Sequence, residues 1–246
     1  MHSGGLVGIG GFIVRGNSPR KIVVRAIGPS LQSNNQPVNG RLADPTLELH
    51  DDSGLIASND NWKDSQQSEI EATKLAPNDD RESAIVRTLA PGAYTGIVRG
   101  KDDSSGIALV EAYDVTDSDD GSLANISTRG SVETGDNVMI GGFIAGGQNG
   151  STRVVVRGLG PSMRNRLLNT LADPFLELRD ENGTQLASND NWRDKQEADI
   201  QASGLAPGSD AESAILIDLA PGKYTALLRG QNGGTGIGLV EIYNLR

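Results

Sequence analysis

The hexapeptide Ala57–Trp62 (Ala-Ser-Asn-Asp-Asn-Trp) returns letter for letter as Ala187–Trp192. The likeness runs far beyond six residues. From Leu42 to Val115, 41 of 74 positions are identical to the stretch Leu171–Leu245, with one single-residue insertion after Asp180. That density over that length means duplication. Upstream, Gly10-Gly11-Phe12 answers to Gly141-Gly142-Phe143, and Lys21–Ser30 to Arg153–Ser162. Two copies are too few for a solenoid, and about 120 residues are enough to bury a core without staples. The expected organisation is two globular units, residues 1–121 and 122–246.

Inside each copy the pattern is that of strands. Leu47 and Leu49 alternate with Glu48 and His50, the period of a half-buried strand. Short apolar runs are separated by turn residues such as Asp51-Asp52-Ser53-Gly54 and Ala90-Pro91-Gly92. The exception is Asp64–Thr73, which reads as a short helix with Asp64 as N-cap and Gln67 three residues on; the second copy offers Asp194 and Glu197. The fold class expected is all-β: two tandem jelly-roll-like antiparallel β-sandwiches, each with one short helix.

The copies differ at one end. A strand candidate at Leu123–Gly130 precedes the second copy, after the acidic linker Thr116–Gly121, and has no counterpart before the first. Either it belongs to the second copy and the first lacks its first strand, or it finishes the first copy and the second lacks its last. In both cases one sandwich carries an open edge that invites pairing with another chain. This strand, or the start of the chain, is expected to complete a neighbouring subunit and build a head-to-tail homo-oligomer.

Composition narrows the partners. The net charge is −10, from 22 basic and 32 acidic residues, which argues against nucleic acid and anionic membrane surfaces. The absence of cysteine excludes thiol catalysis, disulfides and zinc-thiolate sites. No apolar run is long enough to span a membrane. Met1–Ile9 is glycine-rich without a basic start, so it does not read as a signal peptide; a secreted protein would have to be processed or cut from something longer.

Leu42–Val115 and Leu171–Leu245 share Asp-Pro-x-Leu-Glu-Leu, an acidic Asn/Ser-Gly turn, Ala-Ser-Asn-Asp-Asn, and Leu-Ala-Pro-Gly-x-Tyr-Thr. In these motifs the chain resembles the bacterial pre-peptidase C-terminal domain. The resemblance covers about 60% of the chain. It implies a jelly-roll-like, non-catalytic β-sandwich appended to secreted hydrolases, some members binding calcium or a polymeric substrate. The chain departs from that pattern in having two modules and no visible catalytic domain. Gly-Gly-Phe-Ile and Leu-Ala-Asn-Ile-Ser-Thr-Arg-Gly look like a repeated module of large surface-exposed or secreted proteins of environmental bacteria.

Calcium takes six to eight oxygen ligands. Asn59, Asp60, Asn61 and Asp64 offer them within six residues, with Asp44 and Glu82 able to converge from neighbouring strands. The second copy offers Asn189, Asp190, Asn191, Asp194, Asp173 and Glu212. The competing reading is that these residues form Asx-turns and cap the helix. Trp62 and Trp192 are candidates for stacking on sugar rings, against the favoured reading that each plugs the core. Arg25 and Arg157, inside apolar strands, call for carboxylate partners, naturally Glu111 and Glu241.

No catalytic constellation emerges. Ser30 and Ser162 lack the Gly-x-Ser-x-Gly elbow. His2 is terminal and His50 is replaced by Arg179 in the other copy, so a serine has no base. Paired carboxylates fall mostly in turns, and the glycine pairs fall at hairpins rather than before helices. The expectation is a non-catalytic extracellular or cell-surface structural or adhesive module, calcium-stabilised, self-assembling or holding an extracellular polymer. The alternative is a carbohydrate- or protein-binding accessory module of a secreted hydrolase.

Overall fold

The computed structural model describes residues 7–33, 36–116, 121–135, 138–146 and 150–245. The chain start that was expected to donate a strand, and most of the acidic linker, lie outside these residues. The chain forms two compact units, Met1–Ala124 and Asn125–Arg246.

In the first unit the elements are β1 (Gly8–Gly16), β2 (Arg20–Ile27), the short pieces β3 (Gln32–Ser33) and β4 (Gln36–Pro37), β5 (Pro45–Asp51), β6 (Gly54–Asn59), α1 (Gln67–Ala72), β7 (Ser83–Leu89), β8 (Gly92–Gly100) and β9 (Leu109–Asp114). One antiparallel sheet runs β1-β8-β5-β6 and the other β7-β2-β9. Between them Phe12, Val14, Ile22, Val24, Leu47, Leu49, Ile85 and Val98 form the core. β5 shows the expected alternation, with Leu47 and Leu49 buried and Glu48 and His50 half-buried.

β2 does not alternate in this way, and the reason is a third layer. Ile22, Val24 and Ala26 face the sandwich core, while Val23 faces outward into a second cluster with Ala84, Val86, Trp62 and Ile70. A strand buried on both faces reads as a continuous apolar run, which is what Ile22-Val23-Val24 is. The corner peptide and α1 therefore form a lid on the outer face of the β7-β2-β9 sheet.

β10 (Gly121–Val132) crosses the boundary between the units. Leu123 packs against the first core, whereas Asn125–Val132 pairs within the second unit and Ile126 packs on the second core. The strand without a counterpart thus contributes side chains to both sandwiches, where the sequence suggested one owner.

The second unit continues with β11 (Met139–Ala145), β12 (Thr152–Leu159), β13 (Pro174–Asp180), β14 (Gln185–Asn189), α2 (Glu197–Ala202), β15 (Ser213–Leu219), β16 (Gly222–Gly230) and β17 (Gly236–Leu245). Its sheets run β11-β16-β13-β14 and β15-β12-β17-β10. Core and lid repeat, with Val155, Trp192, Ile200, Ala214 and Leu216 in the lid cluster.

The helix start needs correction. α1 begins at Gln67, not Asp64, and its N-cap position is Gln66 in left-handed conformation (φ 58°) with no side-chain cap. The Gln66 amide is occupied elsewhere. Its Nε2 donates to the Val86 carbonyl (2.8 Å) and its Oε1 accepts from the Val86 N–H (3.3 Å), so it pairs with β7 as a strand would. Gln196 repeats this with Leu216 before α2. That two-sided amide pairing holds an unfavourable φ in place.

Candidate functional site

The corner opens with Asn59, whose side chain is spent on structure. Its Nδ2 donates to the Asn61 carbonyl (3.0 Å) and its Oδ1 accepts from the Ala84 N–H (2.9 Å). Asn61 Nδ2 donates to Asp64 Oδ2 (3.0 Å), closing the next turn. The second unit repeats the set at Asn189, Asn191 and Asp194.

Glu82 is fully buried, and its oxygens are all engaged. Oε1 accepts from the Gly28 N–H (3.0 Å), the Ser30 N–H (2.8 Å) and Ser30 Oγ (2.7 Å), and Oε2 from the Asp79 N–H (3.2 Å). The Gly28-Pro29-Ser30 turn is thus a nest for a carboxylate rather than merely a strand break. A Cβ at Gly28 would lie 2.4 Å from the Leu42 carbonyl oxygen, so only glycine lets the two chain segments approach. Glu212 holds Gly160, Ser162 and Ser209 in the same way.

Arg25 and Glu111 form the expected pair. Arg25 donates through Nε (2.9 Å) and through its terminal guanidinium nitrogen to Glu111 Oε2, and through Nη1 to the Leu75 carbonyl (2.8 Å). The Tyr113 hydroxyl donates to Glu111 Oε1 at 2.6 Å, and the guanidinium lies 5.2 Å from its ring centroid. Burial, followed by the bond to Glu111, pushes the Tyr113 hydroxyl up to about 12. Arg157, Glu241 and Tyr243 repeat the triad. It ties the lid loop at Leu75, and Leu205, to the sheet.

The two tryptophans are buried, at 5% and 2% exposure. Neither offers a free face to a sugar ring, so the stacking candidates are corrected: both plug the lid cluster. Trp192 Nε1 donates to the Ser209 carbonyl (3.1 Å). Trp62 Nε1 is buried without such a partner.

The units differ at one polar position that the sequence reading passed over. In the first, Lys101 Nζ lies 2.7 Å from Asp60 Oδ2 and 3.8 Å from Asp44 Oδ2. The Asp60 and Lys101 side chains are each about 40% exposed, and the contact holds the Lys101 ammonium pKa above its ordinary value. In the second, the counterpart of Lys101 is Gln231, whose Nε2 donates to Asp190 Oδ2 at 2.7 Å. A neutral amide replaces an ammonium beside two carboxylates. Asp190 Oδ1 is buried without a hydrogen bond, as are Asp60 Oδ1 and Asp44 Oδ1 in the first unit, and burial, then the Asp190 charge, raises the Asp173 pKa.

The calcium candidates are therefore dispersed. Asn59, Glu82, Asn189 and Glu212 direct their oxygens at backbone N–H groups, and Lys101 stands between Asp44 and Asp60. Among the described residues no group of three or more His, Cys, Asp or Glu side chains converges. The first unit does not fit a shell of six to eight oxygens. Beside the corner lies an open groove of about 320 Å³, lined by Thr46, Glu48, Ser58, Asp60, Asp64 and Ser65. Leu47 and Asn59 complete its walls, which mix apolar surface with hydroxyls and carboxylates.

No protein-family model matches the chain, and no curated protein matches it. Among solved structures it is similar to the STIV MCP, with 18% identity, a TM-score of 0.28 and coverage of 96% of this chain and 90% of that one. It is also similar to the major capsid protein P2 from bacteriophage PM2, with 9% identity, a TM-score of 0.24 and coverage of 94% and 89%. Likenesses this loose carry no argument about this chain.

Proposed function

We propose that the chain is a non-catalytic structural or adhesive module of the extracellular space or cell surface, working by association rather than by chemistry. What carries this reading is how the buried polar groups are used. Glu82, Arg25, Glu111 and Asn59 each fasten a turn or loop to a strand, and their counterparts in the second unit do the same. A general acid or base needs hydrogen-bond reach to a reacting atom. These groups instead reach their own backbone or each other. The module assembles with itself through open sheet edges. Size-exclusion chromatography and electron microscopy of the pure protein test this: concentration-dependent assembly is expected, and a strict monomer at high concentration sinks it.

The second reading is a binding module for a carbohydrate or protein, in keeping with the family resemblance. The open groove at Leu47, Glu48, Ser58, Asp60 and Asp64, part apolar and part polar, favours it. A glycan array with the wild type and Ser58→Tyr, which fills the groove, separates the two readings.

A further inference from the structure

The one-residue insertion that separates the two copies is Thr184, and it falls in the turn between β13 and β14. The first unit turns through Asp51-Asp52-Ser53-Gly54, the second through Asp180-Glu181-Asn182-Gly183-Thr184. Asn182 stands at the place of Ser53. With Thr184 two residues on, it makes Asn-Gly-Thr, the acceptor pattern for an N-linked sugar.

The pattern occurs at Asn125, Asn149 and Asn182, so it decides nothing by itself. A transferase must reach the amide nitrogen, and the fold sorts the candidates on that ground. Asn125 is 7% exposed inside β10, where it stands opposite Tyr243 of β17. Asn149 lies outside the described residues. Asn182 is exposed, in a run of exposed residues from Glu181 to Leu186. Among the described residues the side chains of Asn182 and Thr184 find no hydrogen-bond partner.

The turn is held without those two side chains. Asp180 Oδ1 accepts from the N–H groups of Asn182 (2.9 Å) and Thr184 (2.8 Å). The Asp180 N–H donates to the Thr184 carbonyl (3.0 Å), and Arg179 Nη1 donates to the Gly183 carbonyl (3.0 Å). A fixed backbone therefore presents an amide and a hydroxyl that the fold does not use. The same bonds protect the amide. In an Asn-Gly pair the glycine nitrogen can attack the side-chain carbonyl carbon and expel ammonia. Here the Gly183 N–H donates to the Asp180 carbonyl (3.0 Å), which ties up that nitrogen.

We infer that Asn182 is an acceptor site for an N-linked oligosaccharide, delivered from a polyprenyl-diphosphate donor. Asn182 Nδ2 attacks the anomeric carbon of the donor sugar. The carbon–nitrogen bond forms, the bond to the diphosphate oxygen breaks, and its electron pair leaves with the lipid diphosphate. The proton lost from Nδ2 passes to a base of the transferase. The Thr184 hydroxyl is the second group that the pattern requires. This rests on reading the chain as extracellular, because the pattern is a substrate in secreted proteins.

The test incubates the intact, folded protein with a purified single-subunit oligosaccharyltransferase and its polyprenyl-diphosphate-linked oligosaccharide. Intact mass and peptide mass spectrometry read the product. Addition of one oligosaccharide at Asn182 is expected. Asn182→Gln abolishes it, Thr184→Ala loses most of it, and Thr184→Ser retains it. The variants melt with the wild type, because neither side chain holds the turn. No transfer, transfer to Asn125 or Asn149 alone, or undiminished transfer to Asn182→Gln overturns the site. Hydrolysis of the Asn182 amide in place of transfer counts with those outcomes. The same peptide is then read in protein taken from the cells that make it. Protein at the cell surface with a bare Asn182 overturns the site and leaves the extracellular reading standing. Protein confined to the cytoplasm, with transfer intact in vitro, overturns the extracellular reading instead.

Discussion

Lys101 Nζ stands 2.7 Å from Asp60 Oδ2, and the second unit has Gln231 in its place. The first unit thus carries its own cation between two carboxylates, and the second leaves Asp173 and Asp190 to repel each other. Gln231→Lys is expected to raise the melting midpoint of the second unit, by only ~2 °C because the site is partly exposed and screened. A Trp62→Phe background leaves Trp192 as the reporter of that unit. A midpoint unmoved by Gln231→Lys removes the charge difference from the account.

The pH dependence of the second unit follows from Asp173. Its folded pKa is raised, by burial and then by Asp190. Between the ordinary carboxylate pKa and that raised value the native state holds more protons than the unfolded chain, so stability falls as pH rises through this window. The group's contribution is fully present below the unfolded value and gone above the folded one. Urea midpoints read from about pH 3 upward show this decline in the wild type, and Asp173→Asn flattens it.

Glu82→Ala should be severely destabilising. It strands the buried N–H of Gly28 and the half-buried N–H groups of Ser30 and Asp79, a buried one costing about 1–3 kcal/mol when left without a partner. A total loss of about 3 kcal/mol or more by denaturant titration is expected. Ser30→Ala removes one hydroxyl donor and leaves the N–H bonds, so it costs about 1 kcal/mol. Equal losses for the two would show that the carboxylate nest is not the anchor.

The architecture was legible because strand period, turn residues and duplication all act locally. Leu47 and Leu49 announced a half-buried strand, and Arg25 in an apolar run announced a carboxylate partner, found at Glu111. The corner was harder to read. Asn and Asp serve turns, caps and metals alike, and the choice depends on where backbone N–H groups from distant segments arrive. Glu82 meets Gly28 across 54 residues, which no local pattern encodes. The helix start expected at Asp64 falls instead after Gln66 for a related reason: the partner of Gln66 is the backbone of Val86, twenty residues on. A signal for the cation difference was present at Lys101 and Gln231, but it has meaning only once Asp44 and Asp60 are seen to flank the position.

The tryptophans offer the cleanest separation of structure from ligand binding. Trp62→Ala and Trp192→Ala each empty a buried lid cluster, and losses of about 3–5 kcal/mol are expected. Phenylalanine keeps most of the packing but not the indole N–H. Trp192→Phe therefore forfeits the bond to the Ser209 carbonyl, while Trp62→Phe, whose Nε1 has no such partner, forfeits none. The expected order of stability is Trp62→Phe above Trp192→Phe, by roughly 1 kcal/mol. Denaturant titration measures that gap, and glycan binding measured on the same folded phenylalanine variants stays at the wild-type level. A loss of glycan binding in either variant without loss of stability would return that tryptophan to the surface and reopen the sugar-stacking reading.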